Sequence, residues 1–448
     1  MAEPELLDVA ARIAEMAGSG EQVEAYVARG TNTTVKAYDG QVESLTQASS
    51  AGVGVRVIVD HREGFAYAGT LDEAAVLDAL SEARDNATFG EPDEFNGLAV
   101  PDGVEPVELD LWPAGLAGVP TADKVALALD LERATRGRDE RVSSVRVAMY
   151  SDSMGEGAVA TSTGIRSWGR AGTSYLMVQA LAVQGDETQI AGGLSVGREV
   201  TDLSIDEAAD DAVLRATRLL GSTKPSTQRI TLVLEPRMTA TILGLVGGML
   251  NGEAVLKGRS PFADRVGEAI ASPLLTFVDD PTDARSLGAE THDGEGLATR
   301  RNELVVDGVL QGFLHNTYTG RRSGTASTGS AQRGISSTPG VGASALAVAP
   351  GRGTHEEVLA AVDTGLFVTS MAGLHSGVNP VSGDFSVGVE GLMVRGGVLA
   401  EPVREATIAS TLQRLLLDIS AVGADLEWLP DGTGGVTLVI PDVALSGA

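Results

Sequence analysis

The sequence predicts an α+β protein, mainly antiparallel sheets with a few flanking helices. Most of its patterned segments alternate apolar and polar residues with the period of a strand. Short turn signals join neighbouring runs, as at Asp39-Gly40, which is typical of a β-hairpin. Helical periodicity appears in isolated segments and does not follow every strand, which disfavours a repeated βαβ plan. With 448 residues, 43% of them hydrophobic, the chain is long enough for two or three folded domains.

The first 110 residues are expected to form an N-terminal α+β domain. Leu6, Ala10 and Ile13 fall near one face of an amphipathic helix within 1–18. Strands are expected on either side of the hairpin turn, and a helix follows them. The predicted strands are 23–27, 33–38, 42–46 and 52–59, and the helix covers 71–87.

A central α+β domain is expected over 111–225. The Pro-, Gly- and acid-rich segment 92–120 lacks periodicity and is interpreted as a linker across the surface. Thr121 is a plausible N-cap for the helix that follows. The predicted order of strands and helices repeats that of the first domain, through either duplication or convergent patterning. The predicted helices are 121–136 and 204–219, and the strands are 142–151, 155–163, 174–184 and 189–197.

The remaining residues, 226–448, predict a larger, strand-rich C-terminal domain. A buried strand at 229–234 precedes a Gly-rich helix that begins near Pro236. Residues 302–313 form a strand-turn-strand pattern, and 407–419 predict a helix. The Gly-, Ser- and Arg-rich tract 320–342 predicts a long mobile or functional loop. Further strands are predicted at 345–349, 366–370, 385–394 and 436–440.

Charge and composition exclude several classes of function. The 33 Lys and Arg residues are outnumbered by 61 Asp and Glu, giving a net charge of −28, which argues against nucleic-acid and anionic membrane partners. Cysteine is absent, so disulfides, Cys-ligated metals and a thiol nucleophile are excluded. The N-terminus is acidic without an apolar core, and no run of about 18 apolar residues occurs. We therefore expect a cytoplasmic protein.

The sequence contains few candidates for metal chemistry. No two of the five histidines lie close enough to form an HExxH pair. His292, in the string THDGEG, is the most site-like, although Asp293-Gly294 favours an ordinary polar turn. Asp279, Asp280 and Asp283 could offer oxygen ligands to calcium or magnesium, but they lack EF-hand spacing, and acidic turns are expected in a chain this acidic.

Hydrolase signals are also weak. The GLSVG string at 193–197 matches GxSxG, but it lies in an extended segment and not on a strand-to-helix elbow. His375, Ser382 and Asp384 provide the residue types of a hydrolytic site. The ordinary alternative is a tight turn into a strand, with Asp384 accepting hydrogen bonds from local backbone amides.

Several strings, in order along nearly the whole chain, resemble the TldD/PmbA family. They are DGQVES at 39–44, GVGVRV at 52–57, GEAVLKGRS at 252–260, IASPLLTFVDD at 270–280, EGLATR at 295–300, DGVLQGFLHN at 307–316 and SGDFSVG at 382–388. The family includes a TldD-type subunit, which resembles a zinc peptidase with an HExxxH helix and a C-terminal Cys ligand. Its TldE/PmbA-type subunit lacks those ligands and pairs with it.

The present sequence departs from the TldD pattern where the zinc ligands are expected. The corresponding segment, MTATILGLVGGMLNGE at 238–253, has no His, and its only carboxylate is Glu253. The region equivalent to the Cys ligand reads DGTGG at 431–435. Because a zinc site needs several converging ligands, this chain alone is not expected to be a zinc protease.

The resemblance therefore implies a TldE/PmbA-like non-catalytic subunit. It would work with a TldD-type zinc partner on an unfolded or modified peptide, and it would hold no cofactor itself. Two alternatives stay open: a metal-independent hydrolase using His292, His375 or Asp384, and a non-enzymatic homodimeric binding protein. The candidate residues of the peptide chamber or family motif are Arg321, Arg322, Arg333, Ser382, Gly383, Asp384, Phe385 and Ser386.

Overall fold

The computed structural model describes residues 5–448, and its first half is organised around one six-stranded antiparallel sheet. The strands are β1 (Glu21–Tyr38), β2 (Gln41–Val59), β3 (Arg62–Ala68), β4 (Val142–Thr161), β5 (Arg166–Gln184) and β6 (Glu187–Gly197), in the spatial order β3-β2-β1-β4-β5-β6. The helices are α1 (Glu5–Ala14), α2 (Glu73–Phe89), α3 (Thr121–Gly137) and α4 (Ile205–Thr217). This sheet joins the first two predicted domains, and the boundaries 1–110 and 111–225 stay predictions.

The strands are longer than the sequence predicts. The separate runs 23–27 and 33–38 belong to one strand, because the intervening residues are paired with both β2 and β4. The turn at Asp39-Gly40 is confirmed, with φ of 51° and 73°, the left-handed values of a tight hairpin. The prediction that Thr121 is the N-cap of α3 is wrong. Thr121 is the first helical residue, and Pro120, at the N-cap position, has no side-chain acceptor for a capping hydrogen bond.

The four helices pack on one face of the sheet. On β1, Val23 and Val27 belong to the core formed with α1 and α2, while Val35 and Ala37 belong to the core with α3 and α4. Because side chains alternate between the faces of a strand, the even-numbered residues of β1 point the other way. That second face meets the C-terminal domain.

The predicted repeat of element order is present. Each half consists of a helix, three antiparallel strands and a second helix, and β1 and β4 join the halves. Both halves also place a glycine under their second helix. A Cβ on Gly64 would lie 2.0 Å from the Ala83 carbonyl oxygen of α2, and one on Gly193 would lie 2.0 Å from the Ala208 carbonyl oxygen of α4.

The GxSxG string is explained by this packing. It lies within β6, as the sequence indicates. The hydroxyl of Ser195 donates a hydrogen bond to Glu207 and accepts one from the Ser204 amide, so it fastens the strand to the start of α4. This hydroxyl has a structural role that needs no nucleophilic chemistry.

The C-terminal domain contains a small closed barrel. Its strands are β7 (Gln228–Leu234), β14 (Thr364–Ala372), β15 (Asp384–Arg395), β16 (Val398–Thr411) and β20 (Leu438–Ser446), with β17 (Ala421–Val422) beside β20. The order is β16-β15-β14-β7-β20, and pairing of β16 with β20 closes the circle. Only the β7–β14 pair in this circle is parallel.

A second sheet and short helices complete this domain. Its strands are β8 (Phe277–Asp279), β9 (Asn302–Val306), β10 (Val309–Leu310), β13 (Leu346–Val348), β18 (Glu427–Trp428) and β19 (Gly434–Gly435), in the spatial order β10-β9-β8-β13-β19-β18. A separate two-stranded ribbon pairs β11 (Ala331–Gln332) with β12 (Gly340–Val341). The helices are α5 (Pro236–Met249), α6 (Gly252–Leu256), α7 (Thr317–Arg322), α8 (His355–Ala360), α9 (Leu374–Gly377) and α10 (Leu412–Leu417).

Two expectations for this domain need correction. The helix predicted over 407–419 begins only at Leu412, because residues 407–411 pair with β15 and Thr407, Ile408 and Ala409 also pair with β20. The tract 320–342 is not one continuous loop, since it includes the end of α7 and both strands of the β11–β12 ribbon. Across residues 5–448, no helix combines the length and apolar character that crossing a bilayer requires.

Two adjacent glycines of β6 provide a test of the packing under α4. We expect Gly193→Ala to lower the free energy of unfolding by about 1–3 kcal/mol, because its Cβ must displace the helix backbone. Gly192→Ala is the matched control, since its Cβ would approach only the Val178 carbonyl oxygen, at 3.6 Å. Urea denaturation measures both, and equal stabilities would contradict the packing role of Gly193.

Candidate functional site

The second face of the six-stranded sheet borders a cavity of about 810 Å³. Its floor is formed by residues within 26–30 of β1, 155–159 of β4 and 167–171 of β5. Its roof is formed by C-terminal segments that include Glu290–Gly294, Arg333–Ile335 and Ser344. The cavity thus lies where the two halves of the chain meet.

The two central rows of the floor have no side chain larger than a methyl group. Two rows cross three neighbouring strands: Ala28, Gly157 and Gly169 form one, and Gly30, Gly155 and Ala171 form the other. Packing within the chain does not demand the central glycines. A Cβ on Gly155 would meet nothing closer than 3.8 Å, and one on Gly157 nothing closer than 3.5 Å.

Glycine inside a strand destabilises it by roughly 0.5–1 kcal/mol relative to Ala. It also allows another backbone to approach the sheet closely. A Cβ on Gly155 would have no side chain within 4 Å, and the nearest atoms to one on Gly157 would belong to Tyr26 and Val27, at 3.5–3.7 Å. This floor is therefore suited to an extended ligand backbone.

The roof is tied to the sheet by a buried network of charges. Arg56 of β2 makes two hydrogen bonds to Glu24 of β1, of 3.1 and 2.9 Å, and lies 3.7 Å from Glu295. Arg333 of the roof donates to Oε1 of Glu24, the oxygen that also accepts from Nε of Arg56, and the side chains of Arg333 and Glu24 are fully buried. The Arg333 guanidinium also lies 5.2 Å from the centre of the Tyr26 ring.

The charges in this network depend on one another. Burial opposes ionisation of Glu24, but Arg56 and Arg333 hold its pKa below the usual value. Burial also raises the pKa of Glu295, with the Arg56 charge acting against it. Oε2 of Glu295 accepts hydrogen bonds from the amide and hydroxyl of Thr317, so the same carboxylate caps α7.

A glycine pair on β2 lets the roof reach the sheet. A Cβ on Gly54 would lie 2.5 Å from the Ile335 carbonyl oxygen, and one on Gly52 would lie 2.6 Å from the Ile335 side chain. These glycines therefore serve contact between the domains, which explains the GxG string at 52–54 without a phosphate.

Two carboxyls of the roof border the cavity, of which Asp293 is buried and Glu290 is partly buried. The Ser344 hydroxyl donates to Glu290, and burial raises the Glu290 pKa to about 7. Asp293 accepts three backbone hydrogen bonds, from Glu295, Leu297 and Ala331, and burial raises its pKa. Asp293 is thus the acceptor of the polar turn that the sequence favours, whereas Glu290 faces the cavity.

His292 and the acidic cluster are placed differently. His292 borders the cavity, its Nδ1 lies 2.9 Å from the Thr291 hydroxyl, and burial lowers its pKa, so the ring is neutral. Asp279 lies on β8, where it accepts the amides of Ser344 and Ala345, and burial raises its pKa to about 6. It is a buried structural carboxyl.

Of the three predicted arginines, only Arg333 borders the cavity. Arg321 donates to the Leu98 carbonyl at 2.7 Å, and Arg322 donates to the Tyr318 hydroxyl at 2.6 Å and lies 3.8 Å from Asp93. Arg321 and Arg322 therefore join α7 to the extended segment that follows α2.

The motif at 382–386 lies outside the cavity. The Ser382 hydroxyl donates to Asp384 at 2.6 Å, Gly383 has a φ of 80°, and Phe385 is buried in the barrel core while Ser386 is exposed. Asn379, and not Asp384, accepts the backbone amides of this turn. His375 on α9 makes no hydrogen bond to Ser382 or Asp384 within the described residues.

The helix at the position of the zinc ligands does not fit a metal. No His lies on α5, and Glu253 belongs to the separate helix α6, where it pairs with Lys257. In the part of the chain from 5 to 448, no three His, Asp or Glu side chains are grouped so that they could hold a metal ion.

Sequence reasoning missed Glu290, Tyr26, the Glu24–Arg56 pair and the glycine floor. Arg56 carried a usable signal, since it is a charge inside an otherwise apolar strand. The glycines were visible only as an excess in composition, because their grouping depends on strand register.

Comparison with known proteins places every part of this architecture in one family. The PmbA/TldA metallopeptidase domain 1 matches residues 23–87, the central domain of that family matches 115–220, and its C-terminal domain matches 227–447. The chain belongs to the PmbA/TldD family.

Individual relatives span nearly the whole chain. The Metalloprotease PmbA of Escherichia coli O157:H7 is 26% identical over 96% of this chain and 93% of its own length. A Metalloprotease TldD homologue of Haemophilus influenzae is 25% identical over 91% of this chain and 89% of its own. TldE from Thermococcus kodakarensis has the same fold, with a TM-score of 0.88, 23% identity and coverage of 95% of this chain and 97% of its own.

The buried network is expected to hold this PmbA/TldD fold in register. Glu24→Gln leaves Arg333 without its carboxylate, so we expect a loss of about 3–5 kcal/mol in the free energy of unfolding. Glu43→Gln, at an exposed position on β2, is the control and is expected to stay within about 0.5 kcal/mol of the parent. A small, equal effect of both changes in urea denaturation would show that the network does not hold the halves together.

Proposed function

We propose that this chain is the non-catalytic PmbA/TldE-type subunit of a TldD/TldE-type zinc metallopeptidase complex. In this proposal the complex cleaves unfolded or modified peptides, and the cavity forms part of the wall of the peptide chamber. The glycine floor is the observation that carries the proposal, because a chain without regular side-chain recognition must be held mainly through its backbone.

A TldD-type partner would supply the zinc. The segment 238–253 has no His, its one carboxylate pairs with Lys257, and the chain has no Cys. An active zinc site needs at least three protein ligands around the metal and an open position for water. The cytoplasmic location and the absence of nucleic-acid and membrane contact stay expectations, and a homodimer of this chain stays open beside the complex with a TldD-type partner.

One observation favours a second candidate, a metal-independent hydrolase. His292 is neutral at the edge of the cavity, and Glu290 lies two residues away with a raised pKa. A neutral imidazole and a carboxyl of this kind could exchange protons near pH 7. No nucleophile is assigned, so this candidate ranks second.

Metal analysis and peptidase assays separate these functions. We expect zinc in the TldD-type partner and none in this chain, and cleavage of an unfolded peptide only when both are mixed. Inductively coupled plasma mass spectrometry measures the metal, and release of a fluorogenic fragment measures cleavage. Stoichiometric zinc in the isolated chain, or turnover by it alone, would overturn the non-catalytic role.

The floor can be tested with matched substitutions in one sheet. We expect Gly157→Val to reduce cleavage by the mixed complex at least tenfold, because the new side chain occupies the space above the floor. Gly192→Val is the control, since Gly192 lies on β6 away from the cavity. Thermal denaturation of both variants shows whether the fold persists. Unchanged cleavage by folded Gly157→Val would exclude peptide from this surface.

A further inference from the structure

The carboxylate of Glu290 has no cationic partner within the described residues. Ser344 donates to one of its oxygens, and Oε2 makes no hydrogen bond. The positive groups that border the same cavity are already engaged. Arg333 pairs with Glu24, and Arg29 pairs with Glu156 at 2.6 Å and with Glu5 at 3.0 Å. The third arginine of the lining, Arg170, has its guanidinium over two aromatic rings, 4.9 Å from the centre of Trp112 and 5.5 Å from that of Trp168.

The groups near Glu290 make the roof acidic. Asp279, from β8, acts on it with like charge. Asp293 and Asp431 border the same cavity, as do neutral His292 and the Tyr26 hydroxyl. Arg333 is a cation of the roof that borders this cavity, and its guanidinium is held against Glu24 and the Tyr26 ring. A partly buried carboxyl without an ion-pair partner is stabilised by a positive charge brought from outside.

We propose that Glu290 binds a cationic group of the peptide, either its N-terminal ammonium or a Lys or Arg side chain. This inference rests on the proposed peptide-binding function and names the chemistry of the ligand. The glycine floor would support the ligand backbone, while Glu290 in the roof pairs with the charge. Glu290 touches the ligand as a binding residue and takes no part in bond cleavage.

The raised pKa gives this site a separate signature. Burial, reinforced by Asp279, raises the pKa of Glu290 to about 7, so part of the population is protonated at neutral pH. A cation bound beside the carboxyl favours its ionised form and lowers that pKa. Binding at pH 7 should therefore release a proton from Glu290.

The test uses the full chain and three extended peptides of otherwise identical sequence. The first has a free N-terminus and no basic side chain, the second is N-acetylated with one Lys, and the third is N-acetylated with norleucine in place of that Lys. Isothermal titration calorimetry measures affinity, and repetition in buffers of different ionisation enthalpy measures proton release.

We expect the first or the second peptide to bind at least tenfold more tightly than the neutral third. Preference for the first identifies the ammonium as the ligand, and preference for the second identifies the side chain. In Glu290→Gln this preference and the proton release should disappear, with neutral-peptide affinity changed less than twofold. Glu43→Gln is the matched control and should behave as the parent chain.

Two results would overturn the inference, and they are distinguishable. If all three peptides bind the parent equally and Glu290→Gln changes none of them, the cation site is wrong and the peptide-binding function stands. If no peptide binds the parent, and the complex with a TldD-type partner cleaves peptide equally with and without Gly157→Val, both proposals are wrong. Circular dichroism of Glu290→Gln confirms that the variant is folded.

Discussion

The buried cluster of Glu24, Arg56, Arg333 and Glu295 is the constraint on which the arrangement of this molecule depends. It joins two strands of the N-terminal sheet to two segments of the C-terminal domain. Charges removed from water tolerate little displacement, because each lost partner leaves an uncompensated ion. The cluster therefore fixes the separation and register of floor and roof, and the cavity takes its shape from that register.

Glycine has two opposite roles in the same sheet. Gly64, Gly193 and Gly54 are required by close neighbours, which are the carbonyl oxygens of α2 and α4 and of the Ile335 segment. Gly155 and Gly157 have no such neighbour. The first group is explained by folding alone, whereas the second group has a physical reason only if something outside the chain uses the space.

Local sequence signals predicted much of the fold but little of the site. The hairpin at Asp39-Gly40 and the helix that begins at Pro236 follow from short-range patterns, which the structure retains. The merging of runs into β1 and the extension of β16 into a predicted helix depend on pairing with distant strands, which overrides local propensity. Glu290 could not be recognised because the groups that act on it come from elsewhere in the chain: Ser344 donates a hydrogen bond to it, and Asp279 on β8 acts on it with like charge. The sequence indicated Arg333 as a candidate residue of the Gly-rich tract. Its fixed position could not be predicted, because it depends on the ion pair with Glu24 on β1.

The glycine floor also limits how far the thermal stability of this protein can be raised by substitution. At the centre of a sheet, Ala or a β-branched residue is ordinarily favoured over Gly, so Gly155 and Gly157 are positions where a search for heat resistance would find easy gains. Those gains would fill the space that we assign to a ligand. Selection for thermal stability and selection for ligand binding therefore oppose each other at Gly155 and Gly157. If stability and activity were both measured for a library of floor variants, the positions where stability rises and activity falls would mark where the ligand lies, without a structure of the complex.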